Sequence, residues 1–294
     1  MLWLTPIILA YFLFAIVALG DKYLLKGPPN PKIYAFYVGI LGILSLFLIP
    51  FVGFSIPGIL ELIFCLLAGT IYIFALLGLY EGLEKFEASR IIPAIGGFSP
   101  IFILALTYSF SGGKEILGYR ELLAFLFLLL GSVLVTIEPT KKISFKSLKI
   151  SALTAFLLAL TFVLTKYVYL MLPFWTGFIW IRISAFLIAL FFILFREVRK
   201  EVFSAKSSFS KKTSAFFIFN QGVGAGAFVL QNWAIALAGF AYLSIIGALQ
   251  GIQYVFLFIL AALILKEGLS KKIILQKVIA ILFIGLGLVF LTLN

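Results

Sequence analysis

The charged side chains inside long apolar runs are the residues of this chain best placed to do chemistry. Arg182 lies within an apolar run that extends over residues 174 to 195. Its planar guanidinium can hold a carboxylate through two parallel hydrogen bonds. We therefore predict that Arg182 binds an acidic or amino-acid substrate, with a structural pairing as the alternative. Lys166 lies in the preceding run, where a role in binding competes with extension of its ammonium group to the membrane surface.

Amide side chains form a second group of polar candidates. They are Asn220, Gln221, Gln231, Asn232, Gln250 and Gln253. An amide that faced lipid without a hydrogen-bond partner would be costly, so these side chains are expected to face the protein interior. Gln250 and Gln253 are three residues apart and share one helix face. Substrate contacts are predicted for Gln250, Gln253, Asn220 and Gln221, and hydrogen bonds between helices are the alternative.

Aromatic side chains supply the apolar part of the predicted site. Tyr80 and Trp233 occupy matching positions near the ends of two apolar runs, and Tyr254 directly follows Gln253. A pocket with aromatic walls and few polar groups suits an amphipathic substrate. The alternative for Tyr80 and Trp233 is a place in the aromatic belt at the membrane surface.

Several kinds of chemistry are disfavoured by residues that are rare or missing in the sequence. The chain has no His and a single Cys65, which excludes an intramolecular disulfide and a metal centre built from Cys and His. The sequence contains no ATP-binding motif, and it predicts neither a cofactor nor a catalytic centre. The first apolar run has no acidic residue before Asp21, and Glu61 lies close to the start of the third run. A carboxylate at mid-membrane is therefore not expected, which favours uniport or another coupling over proton transport through such a group.

The elements that position these residues are apolar segments long enough to cross a membrane. Apolar residues make up 64% of the 294 residues, and charged residues only 12%. Because about 20 apolar residues of helix cross a hydrocarbon core of about 30 Å, the predicted fold class is an all-α integral membrane protein. Ten transmembrane helices are predicted, near residues 3–20, 33–52, 57–80, 88–110, 119–138, 148–171, 174–195, 213–235, 240–265 and 272–292. Residues 196–212 are predicted to form a long loop.

Two halves of the sequence are related by an internal repeat. The segment that begins at Ile91 aligns with the segment that begins at Ile245, and the first apolar run aligns with the sixth. Each repeat contains five predicted helices, an odd number, so the second repeat enters the membrane from the opposite side. A substrate site is then expected between the inverted repeats, near the membrane midplane. The repeats are assigned to residues 1–140 and 147–294.

The repeated segment is also the predicted moving part. Small and helix-bending residues in its two copies are Pro93, Gly96, Gly97 and Pro100 in the first, and Gly247 and Gly251 in the second. Proline removes a backbone donor and glycine lowers the cost of bending. We predict a hinge in each copy, with the bend in the first copy and substrate contacts in the second. Close helix packing through small residues is the alternative.

Basic residues predict the orientation in the membrane. A net charge of +12 would suggest nucleic-acid binding in a soluble protein, but here Lys and Arg concentrate between the apolar runs. Membrane topology and anionic lipid explain them, so no nucleic-acid partner is predicted. Most of these residues lie in the odd-numbered connections, which places those connections in the cytoplasm. With ten helices, both termini are then predicted to lie outside.

Together these features resemble the drug/metabolite transporter superfamily, and in particular its ten-helix EamA type. The resemblance is carried by the two repeats, LKEGLS around Glu267 with GGKEIL around Glu115, Ser99-Pro100, Lys22 and Lys166, Arg182, and GSVLV at Gly131 with GLGLV at Gly285. The sequence departs from the family at Tyr254, which aligns with Pro100. It also departs in the predicted position of the termini, since family members of this size usually keep both in the cytoplasm.

The resemblance implies a secondary transporter, an exporter or facilitator of small organic metabolites such as amino acids, in a prokaryotic cytoplasmic membrane. Transport would proceed by alternating access at a central cavity between the repeats. An integral-membrane enzyme and a structural membrane protein are the alternatives. An enzyme would need a nucleophile, a base or metal ligands at one membrane face, which the missing His and single Cys disfavour. Symmetric halves suit alternating access better than a structural role, and the sequence does not specify an oligomeric state.

Overall fold

The computed structural model describes residues 1–24, 31–86, 88–114, 116–136, 144–203, 211–265 and 271–292. Within these ranges the secondary structure consists of helices and turns, without strands. The α-helices are α1 Leu4–Leu24, α2 Pro31–Ile40, α3 Ile49–Val52, α4 Ile59–Lys85, α5 Ala88–Phe110, α6 Tyr119–Thr136, α7 Phe145–Met171, α8 Phe174–Phe191, α9 Arg196–Phe203, α10 Lys211–Leu237, α11 Leu243–Ala248, α12 Gln250–Leu265 and α13 Lys271–Thr292. Short 3-10 helices lie at Leu41–Leu48, Phe192–Leu194 and Phe240–Tyr242. Glu115 and Glu267, at the centre of the two family motifs, lie outside the described residues.

Most of these helices are long and apolar enough to cross a membrane. Within the described ranges there are nine such segments: Leu4–Asp21, Pro31–Val52, Ile59–Lys85, Tyr119–Thr136, Phe145–Met171, Phe174–Leu194, Thr213–Leu237, Phe240–Leu260 and Ile274–Thr292. Helices suit this environment because their backbone groups are satisfied within the segment. A further apolar stretch, Ala94–Phe110, belongs to α5, where the fourth transmembrane helix is predicted. The chain is a helical integral membrane protein.

Local sequence explains where several helices begin and end. α7 begins after Ser144, whose side chain accepts a hydrogen bond from the Ser147 backbone N–H at 3.1 Å and so caps the helix. α5 ends before Gly112 and Gly113, which have φ angles of 62° and 77°. The Gly113 N–H donates to the Tyr108 carbonyl at 2.9 Å. Glycine suits this helix end because it enters the left-handed region without a Cβ clash.

The repeated segment follows a different helical course in its two copies. In the first copy, α5 is continuous across the positions of Pro93 and Pro100. In the second copy the helix is interrupted at Leu249, between α11 and α12, where the Ile252 N–H donates to the Leu249 carbonyl at 2.9 Å. The bend predicted in the first copy stays a prediction, and the interruption of the helix lies in the second copy. Proline is tolerated within a spanning helix when neighbouring helices support it, which explains the continuity of α5.

The glycines predicted to act as hinges lie at close contacts between helices. A Cβ at Gly247 would lie 2.6 Å from Cδ1 of Ile103. A Cβ at Gly251 would lie 2.9 Å from Cα of Ser132, and one at Gly97 would lie 3.1 Å from a Val133 methyl carbon. Small residues at such positions let helix backbones approach closely in a membrane. These three glycines therefore lie where helices pack closely, which is the alternative to a hinge. The hinge itself stays a prediction.

Part of the loop predicted at residues 196–212 is helical. α9 packs back onto the helix bundle through the buried side chain of Val198, and its Glu197 pairs with Lys32 of α2 at 3.5 Å. A hydrogen bond with its own backbone N–H and, to a smaller extent, the Lys32 charge hold the pKa of Glu197 below its usual value. The prediction missed α9 because its few apolar residues are surrounded by charged ones, a pattern that resembles a solvated loop.

Candidate functional site

The guanidinium of Arg182 occupies a space between four helical segments, which we call the arginine slot. Arg182 lies near the middle of α8, and its Cζ is 5.1 Å from the centre of the Phe228 ring and 5.8 Å from that of the Tyr72 ring. The two ring centres are themselves 5.2 Å apart. On another side, a Cβ at Gly42 would lie 3.2 Å from Nη2 of Arg182. The slot therefore draws on α4, α8, α10 and the 3-10 helix that follows α2.

Tight packing of α4 against α8 sets the position of Tyr72. A Cβ at Gly69 would lie 2.5 Å from the carbonyl oxygen of Ile181. The Ser184 hydroxyl donates to a backbone carbonyl of α4 at 2.8 Å, which joins the same two helices. Since Gly69 and Tyr72 are three residues apart, they share a helix face. The close approach at Gly69 thus brings the Tyr72 ring alongside Arg182, the residue after Ile181.

The charge of Arg182 is not neutralised by another described side chain. The salt bridges in the described part of the chain are Lys32–Glu197 and Lys85–Glu81. Contact with two aromatic faces offsets part of the cost of keeping a guanidinium within the membrane. The planar fork can still donate hydrogen bonds, and a carboxylate matches its geometry. The arginine slot is therefore suited to an anionic group that comes from outside the chain.

A second polar group, which we call the aspartate cluster, surrounds the carboxylate of Asp21 near the end of α1. Oδ1 of Asp21 accepts hydrogen bonds from the Tyr34 hydroxyl and from Nδ2 of Asn220, the latter at 2.8 Å. Nε2 of Gln221 donates to the Tyr34 hydroxyl oxygen at 3.2 Å. Tyr80 packs edge-on against Tyr34, with ring centres 4.9 Å apart. Three of the predicted site residues, Asn220, Gln221 and Tyr80, thus meet around a carboxylate that was not predicted.

Close approach of α1 to α10 makes this cluster possible. A Cβ at Gly20 would lie 2.2 Å from Oδ1 of Asn220, so any other residue at position 20 would displace the amide. Asn220 also donates to the Val17 carbonyl at 3.3 Å, which holds the amide against α1. The available signal was an acidic residue within the apolar first helix. It was overlooked because Asp21 resembles the polar end of a span.

The arginine slot and the aspartate cluster lie at different heights along the axes of the same two helices, α4 and α10. On α4, Tyr72 belongs to the slot and Tyr80 to the cluster. On α10, Phe228 belongs to the slot and Asn220 to the cluster. Each pair is eight residues apart, which corresponds to about 12 Å along a helix. The order is opposite on the two helices, as expected for antiparallel neighbours, so the two sites are about 12 Å apart along the helix axes.

The predicted residues of α12 lie elsewhere in the interior. Tyr254 is buried, and a Cβ at Gly96 would lie 3.2 Å from its hydroxyl oxygen. Tyr254 therefore fills space between the two copies of the repeated segment. Gln250 and Gln253 are partly buried on the same helix. In the part of the chain that the structure describes, no hydrogen bond or ring contact joins these three residues to the arginine slot.

Lys166 and Trp233 lie near the carboxyl end of α10. Lys166 is only 3% exposed, and its Nζ donates to the carbonyls of Ala236 and Ala238 at 3.0 and 2.6 Å. A cation here satisfies carbonyls that lack a partner within the helix and complements the helix dipole, so Lys166 does not extend to the membrane surface. Trp233 is 39% exposed and packs edge-on against Phe174, with ring centres 4.6 Å apart. These surroundings agree with the aromatic-belt alternative for Trp233.

Comparison with known proteins gives information about the fold of this chain. No family model matches the sequence, and no curated protein matches it. A solved structure described only as a crystal structure of a protein is similar over 98% of this chain and 97% of that chain, with a TM-score of 0.71 and 17% sequence identity. At this identity the similarity shows the fold alone. The helical arrangement described above is therefore shared with an experimentally solved protein.

Proposed function

We propose that the protein is a secondary transporter of small organic metabolites that carry a carboxylate, such as amino acids, and that it works by alternating access. The observation that supports this most directly is the arginine slot. It holds a guanidinium near the middle of a spanning helix, beside two aromatic rings that contact each other and without a carboxylate partner among the described side chains. An ionised side chain at this depth is costly, and such residues typically mark a substrate or ion pathway.

The proposed architecture is ten transmembrane helices arranged as two inverted five-helix repeats, as in EamA-type members of the drug/metabolite transporter superfamily. With the repeat boundaries predicted from the sequence, the slot takes Gly42 and Tyr72 from the first repeat and Arg182 and Phe228 from the second. A site shared by two repeats becomes accessible from alternate sides when one repeat rocks against the other. The position of the slot between the repeats therefore supports transport over a structural role.

The walls of the slot narrow the substrate class. The Arg182 fork favours a carboxylate, and the rings of Tyr72 and Phe228 favour an apolar or aromatic body beside it. An amino acid with an apolar side chain satisfies both requirements. We propose neutral amino acids of this kind as the first substrates to test, with other amphipathic carboxylates next.

Flux through liposomes that contain the purified protein tests this proposal. A panel of labelled L-amino acids, nucleobases and quaternary amines is offered to the wild type, Arg182→Ala and Arg182→Lys. Loss of a charge-assisted hydrogen-bonded contact costs about 1.5–3 kcal/mol, so amino-acid flux at low concentration is expected to fall by about tenfold or more in Arg182→Ala. Arg182→Lys keeps the charge without the planar fork and is expected to restore only part of the flux.

Arg199→Ala is the matched control, because Arg199 is an exposed arginine on α9 outside the membrane-spanning segments. Its flux is expected to equal that of the wild type. If the wild-type protein neither binds nor moves any member of the panel, the transport proposal is wrong. If flux persists undiminished in Arg182→Ala, transport stands and the arginine slot is not the substrate site.

A further inference from the structure

The aspartate cluster is not suited to bind the carboxylate of a substrate. It lies about 12 Å along the helix axes from the arginine slot, and its own negative charge would repel the substrate carboxylate. The ammonium and carboxylate groups of an amino acid are attached to the same carbon atom, so one molecule cannot reach both sites. A second ligand, positively charged and smaller than the substrate, suits the cluster.

The hydrogen bonds of the cluster accommodate both protonation states of Asp21. The Tyr34 hydroxyl and the Asn220 amide donate to the same oxygen, Oδ1, which stabilises the ionised carboxylate. When the other oxygen takes up a proton, Oδ1 becomes a carbonyl oxygen that can still accept both bonds. The carboxyl group can therefore change its charge without a rearrangement of its partners.

Few charged groups surround this carboxylate among the side chains that the structure describes. On the helices packed around it, the described titratable side chains that interact with Asp21 are Tyr34 of α2, through a hydrogen bond, and Tyr72 and Tyr80 of α4, through its charge. Lys32 is paired with Glu197 at 3.5 Å. The described side chains of α10 and α12 carry no charge. Among the described side chains, hydrogen-bond donors and tyrosines, rather than a cation, determine the surroundings of Asp21.

We propose that Asp21 is a proton-binding site that drives transport of the substrate held at Arg182; this inference rests on the proposed function. Proton uptake from water forms one O–H bond on the carboxylate and neutralises it. Release breaks the same bond and returns the proton to water on the other side of the membrane. The step needs no further reactant.

α1 connects the aspartate cluster to the interrupted helix of the second copy. Asp21 joins α1 to α10 through Asn220. At a position ten residues earlier, the Tyr11 hydroxyl donates to the Ile246 carbonyl of α11 at 2.6 Å, three residues before the interruption at Leu249. A hydrogen bond to an ionised group is stronger than one to a neutral group, so protonation weakens the link between α1 and α10. α1 can thus transmit the charge state of Asp21 to the place where the helix is already broken.

Infrared difference spectroscopy of the purified full-length protein in lipid tests proton binding without a substrate. We expect a carboxyl band that changes between about pH 5 and 8, the range in which a proton carrier operates, and that is missing in Asp21→Asn. Glu121→Gln is the matched control, because Glu121 also accepts a hydrogen bond from a tyrosine, Tyr242, at 3.2 Å. The band is expected to remain in this control. Identical spectra for the wild type and Asp21→Asn would overturn the proposal.

Liposomes that contain the pH-sensitive dye pyranine test the coupling. With labelled L-leucine as the probe, the wild type is expected to move protons together with the amino acid. Asp21→Asn is expected to retain exchange of labelled for unlabelled leucine, while accumulation driven by a pH gradient falls by about tenfold or more. Asp21→Glu keeps a carboxyl group and is expected to retain part of this accumulation. Partial accumulation in Asp21→Glu would show that the loss in Asp21→Asn comes from the missing carboxyl group and not from misfolding.

The outcomes separate this inference from the proposed function. Leucine flux without a dye signal in the wild type would overturn proton coupling and leave transport intact. Accumulation that follows a sodium gradient, and stops when choline replaces sodium, would overturn it by showing that Na⁺ rather than the proton drives transport. If no member of the wider panel is bound or moved, the transport function itself fails and the coupling fails with it.

Discussion

At the scale of single residues, glycines determine how closely the polar groups of this protein approach one another. Gly20 lies against Asn220 in the aspartate cluster, and Gly42 lies against Arg182 in the arginine slot. In a membrane, helices gain little from burying apolar surface, so close packing and hydrogen bonds between them contribute more. A residue without a side chain therefore has a direct effect on the position of a charged or amide group on the neighbouring helix.

Gly20→Ala is expected to destabilise the protein. Its Cβ would lie 2.2 Å from Oδ1 of Asn220, so the amide has to move and its hydrogen bond to Asp21 lengthens. The expected loss is about 1–3 kcal/mol, measured as a lower midpoint of thermal unfolding in detergent. Gly224→Ala is the control at the same pair of helices, because its Cβ would lie 3.7 Å from a Val17 methyl carbon, an ordinary contact. Equal midpoints for the two variants would show that Asn220 has room to shift.

At the scale of helices, the sequence repeat does not predict which glycine makes each contact. Gly131 and Gly285 align in the two repeats, yet only Gly131 lies in a tight contact, where a Cβ would be 2.9 Å from the Ala280 carbonyl oxygen. A Cβ at Gly285 would meet no described atom within 4 Å. The glycine of α13 that approaches α6 is Gly287, whose Cβ would lie 3.1 Å from the Ala124 carbonyl oxygen. The contact between α6 and α13 is therefore made by residues that the repeat does not pair.

Substitution of the two aligned glycines is expected to give opposite results. Gly131→Ala has to separate α6 from α13 at a backbone contact, which is expected to cost about 1–3 kcal/mol. Gly285→Ala meets open space, and alanine favours a helix over glycine by about 1 kcal/mol, so its stability is expected to stay equal or rise. Thermal unfolding of the two purified variants decides between these results. Equal destabilisation would mean that the surroundings of Gly285 are as crowded as those of Gly131.

At the scale of the whole molecule, apolar content determines the class of fold, whereas the polar contacts depend on residues far apart in sequence. The location of Arg182 within a spanning helix could be predicted because a single charge inside an apolar run is visible in the sequence alone. The hydrogen-bond partners of Asp21 could not, because Asn220 is 199 positions away, and an acid near the end of a span looks the same whether it faces water or the interior. The partners of Lys166 are backbone carbonyls, which every residue type provides.

The orientation of the whole molecule remains a prediction, and it determines on which side of the membrane the aspartate cluster lies. Basic residues place the odd-numbered connections in the cytoplasm, so the end of α1, with the aspartate cluster, faces the cytoplasmic side. Cys65 is buried, and Cys65→Ser gives a background for single cysteines. A cysteine added after Asn294 is expected to react with an impermeant maleimide in intact cells, whereas Lys200→Cys on α9 is expected to react only after permeabilisation. The reverse pattern would place the cluster at the outer end of the helices, where an inward proton gradient would protonate Asp21 before the protein opens to the cytoplasm.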